Sequence, residues 1–473
     1  MENKRWMRSA LLTPGMTLTM FMVLFVQMNA TLVHAGSALQ ALALAALFTL
    51  VYGVLVGGYA VLEKPKAGTL CFVGAFAALT MIARVSMLDF NSADYTFFLS
   101  KWVEKFRLGG FKLLADNVGD YNLLYQYILL LISKAPLNDL YLIKYVTVVF
   151  DHLLALVMMR AAGIYAGEKA KLPVLLLMLV LPTTLLDGAC WAQCDSVYAF
   201  LVVMSLYLLE TDRPMRSAMC LSVAFAFKLQ TIFLFPVVLF GLLHKKYDWR
   251  HALAFAAAYV VTLIPAMMAG RGFVDALSVY ASQSMGQYYD RLTYNAPNLY
   301  LFFPMLEFAS SQEFTWMRYI QDIDAEGLNG YLNPALFPDL QHAALYACVV
   351  LTLIVVIYWL MHYKELTPDM ALDVALFFAI FLPFVMPKMH ERYFYLADMF
   401  AILYAVKYAR RRFIPLLVIG ASLMCYAPFL MRQRPVDERV LALMMLAALL
   451  VVSRDLLMRM RKNRAWAAKG GML

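Results

Sequence analysis

The sequence predicts an all-α polytopic membrane protein of about 11–14 transmembrane helices. Composition is the first reason. Residues of the AVILMFWYC set make up 63% of the 473-residue chain, charged residues 15%, and the mean hydropathy is +0.69. Soluble domains lie nearer half apolar and a quarter charged. The second reason is periodic apolar runs near 16–34, 38–62, 67–88, 141–162, 172–187, 193–210, 216–229, 230–243, 252–268, 341–361, 369–386, 394–408, 413–430 and 437–453. Several are short, and 216–243 reads equally as one bent unit. The third is charge placement. With the N-terminus inside, one side collects Lys4, Arg5, Arg8, Arg160, Lys169, Lys171, Lys245, Lys246, Arg410 to Arg412 and the tail from Arg454 to Lys469. The formal charge of +9 is therefore a topology signal and not a nucleic-acid patch.

In chain order, a short basic head runs into the first apolar stretch without a small-residue cleavage pattern, so that stretch is expected to stay as an anchor. Two close links, Ala35–Ser37 and Glu63–Lys66, follow, which puts 87–140 on the non-cytoplasmic side as a first large external loop. It opens with MLDFNSADYTFFLSKWVEKFRLGGFKLLADNVGDYNLLYQY and carries Asp89, Asp94, Asp116 and Asp120. Phe98, Trp102 and Phe106 recur every four positions, as in an amphipathic interfacial helix. Asp94 stands at its start, as a capping residue or as an outward carboxylate. Residues 121–133 form a second apolar segment too short to span.

The next span contains Lys144, Asp151 and His152. The seven-residue spacing of Lys144 and Asp151 puts them on one face, where mutual neutralisation is expected. Further on, Lys228 and Gln230 interrupt an apolar segment, either at a broken helix or with the lysine reaching for the surface. A second external loop, 270–340, carries Arg271, Asp275, Asp290 and Arg291, with an irregular cap over Ser310–Pro338. MPKMHERYFYLAD then sets Lys388, His390 and Arg392 against the topology bias, which calls for an anionic partner such as a lipid phosphate. Six cysteines predict no disulfide framework; Cys190 and Cys194 are the one pair able to meet.

Carboxylates from one loop and cations from another suit a displacement with an anionic leaving group: a carboxylate takes the proton of an attacking hydroxyl, and cations stabilise departing phosphate. The sequence shows neither a Gly-rich phosphate loop nor metal-ligand histidine spacing, so no cofactor is predicted, although carboxylates alone could hold a divalent ion.

At these residues the chain resembles the GT-C integral-membrane glycosyltransferases, nearest to those using dolichyl- or polyprenyl-phosphate glucose (or mannose). SADYTFFLSKWVEKF is similar to the family's aspartate before a Trp-containing helix, with Asp94 and Trp102. GDYNLLYQY, with Asp120, stands where the family has a motif of the form DYPPL, its prolines replaced here by Asn122-Leu123-Leu124. WAQCDS, with Gln193 and Asp195, resembles Gly-Gln-x-Asp-Ser, with Ala192 in place of the glycine. AFKLQ, NAPNLY (Asn295 and Asn298) and KMHERYFY resemble the later motifs. The resemblance implies a GT-C fold with short interfacial helices on its two external loops, and a division into 1–66 (two additional N-terminal helices), 67–408 (catalytic membrane domain) and 409–473 (C-terminal helices and basic cytoplasmic tail).

It implies further an inverting transfer of a hexose from a polyprenyl-phosphate carrier to an acceptor hydroxyl on the non-cytoplasmic face, in assembly of a lipid-linked or cell-surface glycan. Asp94 would be the base. His390, Arg392, Lys388 and Lys228 would hold the carrier phosphate. Asp120, Trp102 and Asp89 would position the acceptor or the loop, and Gln193, Asp195, Arg271 and Asn298 complete the candidate set. The expected partners are the lipid-phosphate sugar donor, a glycan or lipid-linked glycan acceptor and membrane lipid, without nucleic acid, the protein itself being a monomer. A bacterial inner membrane is favoured over the ER. The rival readings are a flippase of lipid-linked saccharides and a polymerase or ligase using a diphosphate-linked donor; the absence of an internal repeat counts against the first.

Overall fold

The computed structural model describes residues 37–285, 292–302 and 337–468. The run near 16–34, Asp290, Arg291 and most of the cap over Ser310–Pro338 lie outside the described residues. The described residues are almost entirely helical: α1 Ala38–Glu63, α2 Ala67–Val85, α3 Ser100–Gly109, α4 Leu123–Ser133, α5 Asp139–Ala166, α6 Glu168–Val180, α7 Asp195–Glu210, α8 Pro214–Phe227, α9 Phe235–Leu243, α10 Trp249–Met268, α11 Phe273–Met285, α12 Phe337–Met361, α13 Ala371–Val385, α14 Tyr395–Lys407, α15 Ile414–Met431 and α16 Glu438–Ala468. Among the described residues, eight helical segments are long and apolar enough to cross a membrane, nine if the bent pair Glu168–Val180 and Pro182–Cys190 is one span. This is an all-α integral membrane protein. The runs at 193–210, 216–229 and 394–408 form helices of 16, 14 and 13 residues. At about 1.5 Å per residue these rise roughly 20–24 Å, short of the roughly 30 Å hydrocarbon core. None of the six cysteines is in a disulfide.

Two compact units are formed. The first comprises the described residues up to Leu229 together with Leu253–Tyr280. Its centre is α5, which packs against α1, α6 and α7, while α8 packs on α7 and α4 on α3. The bend after α6 has a direct cause. Leu181 is extended (φ −59°, ψ 118°) before Pro182, a placement in which proline disfavours helix for its predecessor and offers no N–H itself. α10 carries Pro265. There the Tyr127 hydroxyl enters the ladder, donating to Thr262 O (2.9 Å) and accepting from Ala266 N–H (3.2 Å). A side chain thus takes up the polar groups that the proline leaves apart.

The ionic groups of α5 correct the sequence reading. Lys144 does not neutralise Asp151; its Nζ donates to the carbonyls of Met87 (2.6 Å), Leu88 (2.9 Å) and Phe90 (2.8 Å). The chain leaving α2 turns these oxygens toward one point, Met87 O also accepting from Phe90 N–H (3.1 Å), and an ammonium with three donors serves all three. Asp151 instead pairs with Arg84 at 3.5 Å, both side chains fully buried. Sequence spacing within one helix could not reveal that a neighbouring helix supplies the arginine.

The second unit comprises Gln230–Ala252 and the described residues after Ala281. Its centre is α13, every residue of which is buried, packed by α9, α14 and α16. The basic tail is not a separate segment as far as Ala468: it continues α16 for 31 residues. Arg459 pairs with Asp369 and Asp373, and Arg464 with Glu365 (2.5 Å), fixing the end of α16 to the first turn of α13 and the turns before it. Two short strands complete this unit, β1 Thr293–Tyr294 and β2 Met389–His390, paired parallel with Tyr294 opposite His390.

Candidate active site

In the first unit the loop before α3 and the turn before α7 converge on Asp94. The capping reading of Asp94 does not hold. Ser92 caps this helix: its Oγ accepts from Tyr95 N–H (3.2 Å) and donates to Trp191 O (2.8 Å). Asp94 is already helical and makes no cap bond. Its half-buried carboxylate turns to the other segment, where Oδ2 accepts from Trp191 Nε1 (2.9 Å) and Gln193 Nε2 (2.5 Å). Oδ1 accepts no hydrogen bond among the described residues, so one lone-pair edge of the carboxylate stays open. Both contributing segments are wound in wide i→i+5 turns, Tyr95–Leu99 and Leu185–Cys190. Such π-turns are uncommon and recur at functional sites.

The Trp191–Gln193 turn is fixed from several sides. Trp191 N–H donates to Leu186 O (2.8 Å) and Gln193 N–H to Asp187 O (2.9 Å). Thr147 Oγ1 on α5 donates to Gln193 O (2.7 Å). Gly188 lets the turn approach α5, since a Cβ there would lie 2.6 Å from Thr147 Cγ2. Ala192 has φ +67°, left-handed backbone that an alanine adopts at a cost. Trp191 and Gln193 are themselves buried.

Loop residues reach the same turn through aromatic contacts. Trp102, Val103 and Phe106 form the buried face of α3, while Phe98, expected on that face, is 48% exposed. Trp102 stacks edge-on to Tyr121 (5.7 Å), which meets Tyr125 (4.6 Å). Gly119, at φ +77°, makes this possible: a Cβ there would sit 2.2 Å from the Trp102 ring. The Tyr121 hydroxyl then donates to Gln193 Oε1 (2.9 Å). Sequence reasoning singled out Asp120 in this motif and missed its neighbour Tyr121 and the indole of Trp191; both stood in the quoted motifs. Asp120 itself is exposed at the surface, with its carboxyl pushed above the usual range where surrounding protein displaces water.

Several predicted residues have structural partners. Asp89 accepts from the Tyr141 hydroxyl (2.5 Å). Lys228 neither snorkels nor stands open: it pairs with buried Asp195 and lies over the Tyr198 ring (5.4 Å). It sits at the predicted break, extended at φ −149°, ψ 132° after α8. Arg271 donates to Asp116 O (3.3 Å) and Asp275 O (3.1 Å), and burial draws its guanidinium down from the ordinary value.

In the second unit the NAPNLY and KMHERYFY stretches are neighbours. Lys388 N–H donates to Leu292 O (2.7 Å), and the His390 ring stacks on Tyr294 (4.7 Å, 15°). Lys388 and Asn295 both adopt left-handed backbone, φ +62° and +54°. The side chains of Lys388, His390 and Arg392 are half-buried, and loss of water pulls the Lys388 ammonium below its ordinary value. Asn298 is a turn former: fully buried, with Oδ1 accepting from Tyr300 N–H (3.2 Å). Among the described residues no group of three His, Cys, Asp or Glu side chains is arranged to hold a metal.

A bundle of apolar helices that carries buried polar turns is the architecture of an integral-membrane enzyme as much as of a carrier, and the comparison with known families decides between them. The sequence model of glycosyltransferase family 87 matches residues 121–387, more than half the chain. The chain belongs to that family. It is a membrane glycosyltransferase, in agreement with the GT-C resemblance carried by its motifs. No curated protein matches it. Gln193, Asp195, Lys228, Arg271 and Asn298 lie inside the matched stretch, whereas Asp94, Trp102 and Asp120 precede it and His390 and Arg392 follow it.

Proposed function

We propose that the protein transfers a hexose from a polyprenyl-phosphate carrier to an acceptor hydroxyl on the non-cytoplasmic membrane face, with inversion at the anomeric carbon. The observation that carries this reading is the Asp94 carboxylate. One oxygen is held by two neutral donors and the other is open, which orients a base without neutralising it. In the step proposed, the acceptor O–H gives its proton to Asp94 Oδ1 as its oxygen attacks the anomeric carbon. The bond from that carbon to the phosphate oxygen breaks, and the electron pair leaves with the lipid phosphate. The assignment of that phosphate, where charge grows as the bond breaks, to His390 and Arg392, with Lys388 beside them in sequence, rests on the resemblance of KMHERYFY to the family's motif alone. Lys228 is left out of this role, because Asp195 already balances its charge.

The test is donor consumption by purified protein from a panel of synthetic polyprenyl-phosphate hexoses, with lipid extract as acceptor, with and without EDTA. Turnover by the wild type and its loss in Asp94→Asn are expected. Retained turnover in that variant would remove Asp94 as base. His390→Ala is expected to weaken donor binding about tenfold, the scale of one charge-assisted hydrogen bond; unchanged donor affinity would remove the phosphate assignment.

A further inference from the structure

We propose that Tyr121 is a positioning residue of this reaction, fixing the Gln193 amide so that Nε2 and not Oε1 faces Asp94. The inference rests on Asp94 being the base. It begins with the asymmetry of an amide. Gln193 offers one donor end and one acceptor end, and an ionised carboxylate can only accept. Nε2 must therefore face Asp94 Oδ2, which turns Oε1 the other way. The Tyr121 hydroxyl lies there at 2.9 Å and donates to it. Asp94 holds only the Nε2 end; without the Tyr121 donor Oε1 loses its partner at a partly buried site, and the amide is no longer held at both ends.

The surroundings leave this hydroxyl little freedom. Its ring is held edge-on by Trp102 and against Tyr125, and Trp102 is seated on Gly119. The Gln193 backbone is tied at both ends, by Asp187 O and by Thr147 Oγ1. Tyr121, Gln193 and Asp94 thus form a chain of hydrogen bonds ending on the oxygen opposite the open one. The ring contacts would be made equally by phenylalanine. Only the hydroxyl carries the proposed role, which makes Tyr121→Phe a clean probe.

A double-mutant cycle tests the idea in the purified full-length protein. Tyr121→Phe is expected to lower kcat about tenfold with KM within about twofold, since misorientation of the base affects the chemical step. In a Gln193→Ala background the same change should cost less than about twofold, because the link it acts through is gone. Equal costs in both backgrounds would overturn the proposal, even with Asp94→Asn inactive. Retained activity of Asp94→Asn would instead overturn the base reading and this inference with it. A readout independent of turnover is the infrared carboxylate stretch of Asp94, identified as the band lost in Asp94→Asn. It should move in Tyr121→Phe, and a band coinciding with wild type would overturn the proposal.

Discussion

Asp94 in the first unit and Asp373 in the second are both carboxylates held by several donors, and they are held in opposite ways. Asp373 is buried with both oxygens occupied: Oδ1 by Lys407 (2.9 Å), Oδ2 by the Tyr408 hydroxyl (2.8 Å) and by Arg459. Two of these three partners are cations. Asp94 is half-buried, has neutral partners only, and keeps one oxygen open. A carboxylate saturated by cations is a staple, because its charge is spent and each partner depends on it. A carboxylate oriented by neutral groups on one side keeps its charge and an unused lone-pair edge, which is what proton abstraction needs.

The sharpest way to break this comparison is to neutralise each carboxylate in turn. Asp94→Asn should remove about a hundred- to ten-thousand-fold of turnover, the usual worth of a general base, while the melting temperature stays near wild type. Asp373→Asn should do the reverse. Leaving Lys407 and Arg459 without their shared counter-charge costs about 3–5 kcal/mol where ion pairs are buried, read as a lower melting temperature in detergent with turnover per folded molecule retained. An Asp94→Asn protein that melts early and still turns over would show that the two sites had been distinguished wrongly. His390→Ala sits between them in size, with its expected tenfold loss of donor affinity and no loss of fold.

Much of the fold was legible because hydropathy marks helices that must satisfy their own backbone in lipid. The break at Lys228 was legible because a lysine interrupts an apolar run, whereas the bend at Leu181 was passed over although Pro182 marks it, the run 172–187 reading as continuously apolar. Charge pairing was read wrongly for Lys144, because its partners are backbone oxygens 54–57 residues away and carry no sequence signal. Of the proposed site, the loops that carry it were legible. Asp94 stood out as a carboxylate before an aromatic helix, and the two motifs around Tyr294 and His390 prove to be hydrogen-bonded neighbours. Tyr121 was not legible: its hydroxyl finds its partner 72 residues further on, and nothing in GDYNLL distinguishes it from a packing aromatic.

The smallest effect expected concerns the turn that supplies both donors to Asp94. Ala192 lies between Trp191 and Gln193 at φ +67°, where a side chain costs roughly 1–2 kcal/mol. Glycine there would remove that strain but add about 0.4–1 kcal/mol of unfolded-chain entropy. Ala192→Gly should therefore be neutral or stabilising by up to about 1.5 kcal/mol, a shift of a few degrees at most in apparent melting temperature. Turnover should stay within about twofold, because the hydrogen bonds of Gln193 to Asp187 and Thr147 fix the turn without help from the methyl group. A severalfold loss of kcat with stability unchanged would mean that the alanine restricts the turn, and that the orientation of Asp94 depends on the backbone as well as on the two side chains that touch it.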